Sequence, residues 1–188
     1  MITKNIAIFA SGEGTNAQRI IDHFKGSEKA RVVLVVSNKE TANVLNRAKL
    51  AGIPTYLLKK EEFTQKDTLV EYLKERQIDL IVLAGFLWMV PSNLIKAFPN
   101  KIINIHPALL PKYGGKGMYG MNVHKAVMAA KEKQSGISIH YVNEHYDEGE
   151  LIAQHVCEVM PSDTPEKLAE KIHQLEYEFF PLAIESIL

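Results

Sequence analysis

Residues 5–21 read NIAIFASGEGTNAQRII, and this stretch decides the fold class. "NIAIFAS" is an apolar run of strand length that does not alternate with polar residues, which suits a strand of a parallel sheet covered on both faces. It passes directly into a glycine turn. Beyond the turn, Ala17, Ile20, Ile21 and Phe24 fall at i, i+3, i+4 and i+7, the spacing of one buried helical stripe. Strand, glycine turn and amphipathic helix make a β-α unit, and the pattern recurs. "ARVVLVVS" (30–37), "PTYLL" (54–58), "DLIVLAG" (79–85) and "KIINIH" (101–106) read as further strands, with "ANVLNRAKLAG" and "TQKDTLVEYLKERQ" as helices between them. A β-α-β-α-β progression predicts an α/β, Rossmann-like, doubly wound and mostly parallel sheet.

After residue 120 the pattern changes. A helix from about Asn122 to Lys131 precedes a strand "SGISIHYV", a polar turn "NEHYDEGE" and a strand "LIAQHVCEV". The turn is short enough for an antiparallel C-terminal strand pair. Thr164 followed by Pro165 starts a long C-terminal helix, because proline lacks only a donor that the first turn leaves unused. Pro181 is expected to kink or interrupt that helix. With no internal repeat, low-complexity tract or linker, residues 1–188 read as a single domain.

Composition narrows the function classes. The 22 basic and 22 acidic residues cancel, leaving no electrostatic footprint for nucleic acid or an anionic membrane. The hydrophobic fraction of 46% in 188 residues is ample for one core. Cys157 is the sole cysteine, which excludes an internal disulfide and a thiolate metal cluster and suits a small packing group. The opening "MITKNIAIFASGEGTN" has no signal-peptide apolar region and no run approaches membrane-spanning length, so a cytoplasmic, membrane-free protein is expected.

Three stretches can carry chemistry. Gly12, Gly14 and Ala17 fit the G-x-G-x-x-[GA] spacing of a dinucleotide loop. The second strand, however, ends "VVSNK", without the acidic residue that would hold a ribose. What remains is an anion site of helix N-terminal amides with the Thr15 hydroxyl and Asn16 amide, where Gly14 lets the backbone approach a phosphate and Glu13 must point away. In "KIINIH", Asn104 and His106 leave one strand face and Ile103 and Ile105 the other, and Pro107 opens the loop "PALLPKYGGKGMYG". Asp147 lies in the turn "EHYDEGE". Ligands of an open parallel sheet gather outside the carboxyl ends of its strands, so this carboxylate could reach His106, favour its imidazolium and raise its pKa above the ordinary value. Asn, His and Asp together suit a carbonyl that becomes tetrahedral: donors for the oxyanion, a carboxylate to steady the imidazole. His23, His155 and His173 show no partner pattern, and no metal-ligand spacing occurs.

The set "FASGEGTNAQ", "AGFLWMV", "NIHPALLPKY" and "YDEGELIAQ" resembles the phosphoribosylglycinamide formyltransferases of purine (IMP) synthesis, in the 10-formyltetrahydrofolate transferase superfamily, over essentially the whole chain. The resemblance implies transfer of a formyl group from 10-formyltetrahydrofolate to the amine of glycinamide ribonucleotide, without a metal. It implies catalytic roles for Asn104, His106 and Asp147, phosphate binding by Gly14, Thr15 and Asn16, and nucleotide contact by Glu176. It further implies a folate pocket lined by the backbone of Leu87, Trp88, Met89 and Val90, with Lys66 near the folate and Asn104 facing it. Residues 1–100 would form the phosphate and nucleotide half, and 101–188 the catalytic and folate half. The loop "YGGKGMYGMNVHKAV" is longer than the family's commoner "YPGLHTH", so Asn122 is not matched to the histidine often found there, and Trp88 and Met89 replace a more polar pocket wall. The alternatives are a tRNA formyltransferase, for which a further C-terminal domain and a basic surface are expected, a formyl-folate deformylase with an N-terminal regulatory domain, and a non-catalytic nucleotide-binding module. Partners are expected to be small molecules, in a monomer or homodimer.

Overall fold

In the computed structural model, which describes residues 2–64 and 67–188, the β-α alternation builds one seven-stranded sheet. The strands are β1 (Lys4–Phe9), β2 (Ala30–Ser37), β3 (Thr55–Leu57), β4 (Leu80–Leu83), β5 (Ile102–His106), β6 (Gln134–Tyr141) and β7 (Leu151–Glu158). The helices are α1 (Thr15–Phe24), α2 (Asn43–Leu50), α3 (Lys60–Thr64), α4 (Thr68–Glu75), α5 (Ser92–Ala97), α6 (Met121–Ala129) and α7 (Pro165–Ser186). Strand order is β3-β2-β1-β4-β5-β6-β7. The first five strands pair in parallel, whereas β6 runs antiparallel to both β5 and β7.

The strands are apolar throughout because each feeds two cores. Ile6 and Ile8 of β1 face α1, α2, α6 and α7, while Ala7 and Phe9 face α3, α4 and α5. All four are fully buried, and each large side chain so buried contributes about 1.5–3 kcal/mol. The same alternation sends Ile103 and Ile105 of β5 to the first core and Ile102 to the second.

The chain leaves β1 toward β2 and β3, then crosses back to β4 on the other side of β1. Between β1 and β4 the strand order therefore reverses, opening a crevice at the strands' carboxyl ends. The C-terminal helix begins as expected, with the Thr164 hydroxyl accepting the Lys167 amide. It is not interrupted at Pro181 but runs on to Ser186. Phe180, Ala183 and Ile184 are buried on either side of the proline, so core packing holds the neighbouring turns and outweighs one missing N–H.

Candidate active site

The crevice at the β1/β4 reversal widens into a cleft of about 670 Å³, walled by the loops after β1, β4 and β5, the turn before β7, and one face of α7. Its floor is the end of the sheet.

On one side lies the turn between β1 and α1. Gly14 is the residue before the helix and has φ 72°, the left-handed region that an L side chain rarely adopts. A Cβ there would lie 2.5 Å from the Cβ of Val44 in α2. The expected reason for this glycine, close approach of an anion, thus needs amending: its missing side chain makes room for α2. Glu13 is tied to α2, its carboxylate taking a hydrogen bond from Asn43 Nδ2 (3.1 Å) and its carbonyl one from Arg47 Nε (2.7 Å). The residues that open α1 line the cleft. Asn16 does not cap the helix. Its Nδ2 donates to Glu176 Oε2 of α7 at 2.9 Å, and its Oδ1 is buried without a partner. Burial pushes the Glu176 carboxyl above its ordinary range, against the pull of Asn16 and His173.

Ser11 joins this turn to the opposite wall. Its hydroxyl donates to Asn38 Oδ1 (2.6 Å) and accepts the Leu87 amide (3.0 Å). Leu87 and Met89 are exposed on the wall and Val90 is buried. Trp88 tilts onto Phe63 at a ring distance of 5.7 Å and meets Phe86 edge-on at 6.2 Å, so much of its bulk packs on the second core. Lys66 lies outside the described residues.

At the sheet's end, strand register assembles the polar cluster. Asn104 of β5 is directly opposite His140 of β6, so the two share a face. His140 Nδ1 donates to the Tyr141 carbonyl at 2.8 Å, because a carbonyl can only accept; the ring's Nε2 is then free to accept from Asn104 Nδ2 at 3.2 Å. One N–H of Asn104 remains for the cleft. His106 is 4% exposed. Its Nε2 lies 2.7 Å from the Tyr113 carbonyl, which places a proton on Nε2, and its Nδ1 faces Asp147 Oδ2 at 3.6 Å.

Asp147 has φ 56° and stands between two imidazoles, 3.7 Å from His140 Nε2 through its other oxygen, while the Gly115 amide donates to Oδ2 at 2.9 Å. Two residues on, a Cβ at Gly149 would strike the Tyr141 carbonyl oxygen, so this glycine lets the turn fold tightly over β6. Burial acts to raise the Asp147 pKa, but the two imidazoles, His140 and His106, whenever they carry a proton on the nitrogen that faces it, and the Gly115 amide hold the carboxyl below its ordinary range. His106 moves opposite to the expectation. Burial lowers its pKa, Asp147 and the Tyr113 carbonyl offset only part of this, and the net shift is downward. At rest the ring is therefore neutral near neutral pH, with Nδ1 as its unprotonated nitrogen.

The residues singled out in the sequence thus converge on one cleft, Lys66 aside. Reasoning from sequence missed His140, whose signal was the polar residue within the apolar strand "SGISIHYV". It also missed His124. Asn122 donates to the Gly117 carbonyl (3.2 Å), whereas His124, two residues later on α6, is buried against the cleft with Nδ1 unpartnered. Burial, with His173 and His106 nearby, drops the His124 pKa to about 4. Among the described residues, no group of three or more His, Cys, Asp or Glu is placed to hold a metal ion, and no helix is long and apolar enough to cross a membrane.

Comparison with known proteins identifies the family. Residues 4–184 match the family described as Formyl transferase. The chain is 40% identical over 190 residues to the chloroplastic phosphoribosylglycinamide formyltransferase of Arabidopsis thaliana, covering 98% of this chain and 65% of that protein. It therefore spans just under two thirds of that relative's length. To phosphoribosylglycinamide formyltransferase of Haemophilus influenzae it is 36% identical, covering 97% of this chain and 86% of that one. The crystal structure of glycinamide ribonucleotide transformylase 1 from Geobacillus kaustophilus superposes with a TM-score of 0.90 at 37% identity, covering 99% of each chain. With a match across nearly its whole length, the chain belongs to the formyl transferase family.

Proposed function

We propose that the protein transfers a formyl group from 10-formyltetrahydrofolate to the primary amine of phosphoribosylglycinamide, a step of purine synthesis. The observation that carries this reading is the neutral His106, fixed with Nδ1 toward Asp147 and beside the free Asn104 N–H, in the same cleft as an anion-ready helix start. Attack of the amine on the formyl carbon makes a tetrahedral oxyanion, and the Asn104 amide is positioned to donate to it. His106 Nδ1 takes a proton from the nitrogen that has attacked. The imidazolium so formed is stabilised by Asp147, and it returns the proton to the folate nitrogen as the carbon–nitrogen bond breaks. His106 thus shuttles one proton, and a resting pKa below its ordinary value suits a group that must first accept.

The phosphate of the nucleotide would sit on the amides at Gly14, Thr15 and Asn16, with Glu176 reaching the glycinamide end. The backbone from Leu87 to Val90 would line the folate pocket, with Asn104 at its inner edge and Lys66 toward the folate tail. We read residues 1–188 as one functional unit. In it the 1–100 half lends Leu87–Val90 to the folate and the 101–188 half lends Glu176 to the nucleotide, so neither pocket belongs to one half. We also propose small molecules as its substrates, a monomer or homodimer as its state, and a cytoplasmic location; the Arabidopsis relative is named chloroplastic.

The test is an absorbance assay for release of tetrahydrofolate from the 10-formyl donor, with and without phosphoribosylglycinamide. Release that requires the nucleotide supports the transferase. Equal release without it would instead indicate a deformylase.

A further inference from the structure

We infer that Glu132, outside the cleft, positions both His106 and Asp147 by pinning the loop Leu110–Gly115 through the Tyr113 phenol; this rests on the reading of those two groups as catalytic.

Both depend on that loop. His106 Nε2 donates to the carbonyl of Tyr113, and Asp147 Oδ2 accepts from the amide of Gly115. The two contacts are two residues apart in the chain, so a displacement of this loop disturbs the tautomer of one group and the aim of the other together. What holds the loop is therefore part of the machinery of the site.

Its beginning is held from the sheet. The Ser138 hydroxyl donates to the Ala108 carbonyl (2.7 Å) and accepts the Leu110 amide (2.9 Å), and Gln154 Nε2 donates to the Leu110 carbonyl (3.0 Å). Past Leu110 the hold changes side. The Tyr113 hydroxyl donates to Glu132 Oε1 at 2.9 Å, and Lys112 Nζ reaches the same oxygen at 2.8 Å. These two contacts differ in weight. Lys112 is 67% exposed, and an ion pair so hydrated contributes little. Tyr113 is half buried with its ring against the first core, and a phenol donating to a carboxylate makes a charge-assisted bond of fixed direction.

The backbone of Tyr113 makes the anchor matter. Its φ is 58°, in the left-handed region, which a bulky residue keeps only when its surroundings hold it. That conformation helps to set where the Tyr113 carbonyl points. Glu132 is itself fixed just past the end of α6, its amide donating to the Val127 carbonyl at 3.3 Å. Lys112 and Tyr113 hold its carboxyl below the ordinary range, so the anchor stays ionised through neutral pH. Glu132 does not line the cleft, so its effect on the reaction must pass through this loop, chiefly by Tyr113.

The test compares Tyr113→Phe, Glu132→Ala and Glu132→Gln. Tyr113→Phe removes only the hydroxyl, and Glu132→Gln keeps an oxygen that accepts from it. Loosening the loop should lower kcat about tenfold in Tyr113→Phe and Glu132→Ala, with KM for both substrates within about twofold of wild type. Glu132→Gln should recover most of the loss. In the substrate-free protein, nitrogen-15 NMR should show His106 as the Nε2–H tautomer in wild type and Glu132→Gln, and as a tautomer mixture in the other two. Because the Tyr113 carbonyl raises the His106 pKa, its titration should also move downward in those two. Unchanged ring signals in Tyr113→Phe would overturn the inference, as would a Glu132→Gln variant as impaired as Glu132→Ala. The ring signals are read without substrate, so they decide the question even if the wild-type protein fails to transfer a formyl group and the catalytic reading falls.

Discussion

The two sides of the cleft are built in opposite ways. The turn from Gly12 to Asn16 is five consecutive residues, and what it offers a ligand is mainly backbone, set by the left-handed Gly14 and the start of α1. The cluster at the sheet's end is made of side chains from β5, β6 and the turn before β7, aligned by the register that puts Asn104 opposite His140. A backbone site tolerates many side-chain changes but not a change of φ. A side-chain site is tuned by burial and by neighbouring charge, and its parts fail one at a time.

The sharpest way to break this comparison is at His106. His106→Ala should lower kcat by on the order of a hundredfold or more, while calorimetry still finds both substrates bound; near wild-type turnover in a folded variant would remove the side-chain cluster from the chemistry. Asp147→Asn comes next, at roughly tenfold to a hundredfold in kcat. The carboxylate raises the His106 pKa against burial, so its loss should lower that pKa further and shift the titration of the ring to more acid pH. An unmoved titration by NMR would show that Asp147 does not act on His106 electrostatically.

On the backbone side, Gly14→Val should weaken nucleotide binding about tenfold and leave folate binding nearly intact. The added Cβ meets Val44, and an L side chain resists this φ. Equal losses for both ligands in calorimetric titration would mean that the two sides are not separable. The smallest effect belongs to Glu176, whose folded pKa is raised above the ordinary 4.5. Stability from such a group is fully present below that value and is lost as pH rises through the raised one. Glu176→Gln should therefore raise the Tm of the ligand-free protein by a few degrees at pH 7.5 and leave it unchanged at pH 4, while weakening nucleotide binding. A Tm difference that does not depend on pH would exclude buried charge as its source.

What could be read from the sequence follows the same division. β1, its glycine turn and α1 are contiguous, so their apolar runs and helical stripe were legible, as were the alternation of Asn104 and His106 and the antiparallel last strands. His140 was not, because nothing local says which residue of β6 will stand opposite Asn104. The direction of the His106 pKa misled for a related reason. A nearby carboxylate can be guessed from a motif, but the burial that outweighs it comes from strands, loops and helices far apart in the chain. Pro181 taught the converse: a local rule predicted a break, and packing of Phe180 and Ile184 carried the helix through. His124 stayed hidden because its place on α6 depends on the path of the loop before it.

The bond from Asn16 to Glu176 joins residues 160 positions apart in the chain. A ribosome adds roughly 5–20 residues per second, so during synthesis the glycine turn waits on the order of ten seconds or more for the carboxylate that meets it. Until α7 emerges and docks, Asn16 has no such partner and the cleft lacks a wall. Assembly of this site is accordingly a late event of synthesis, and a nascent chain that can fold its first β-α units still lacks the wall that closes the cleft over them.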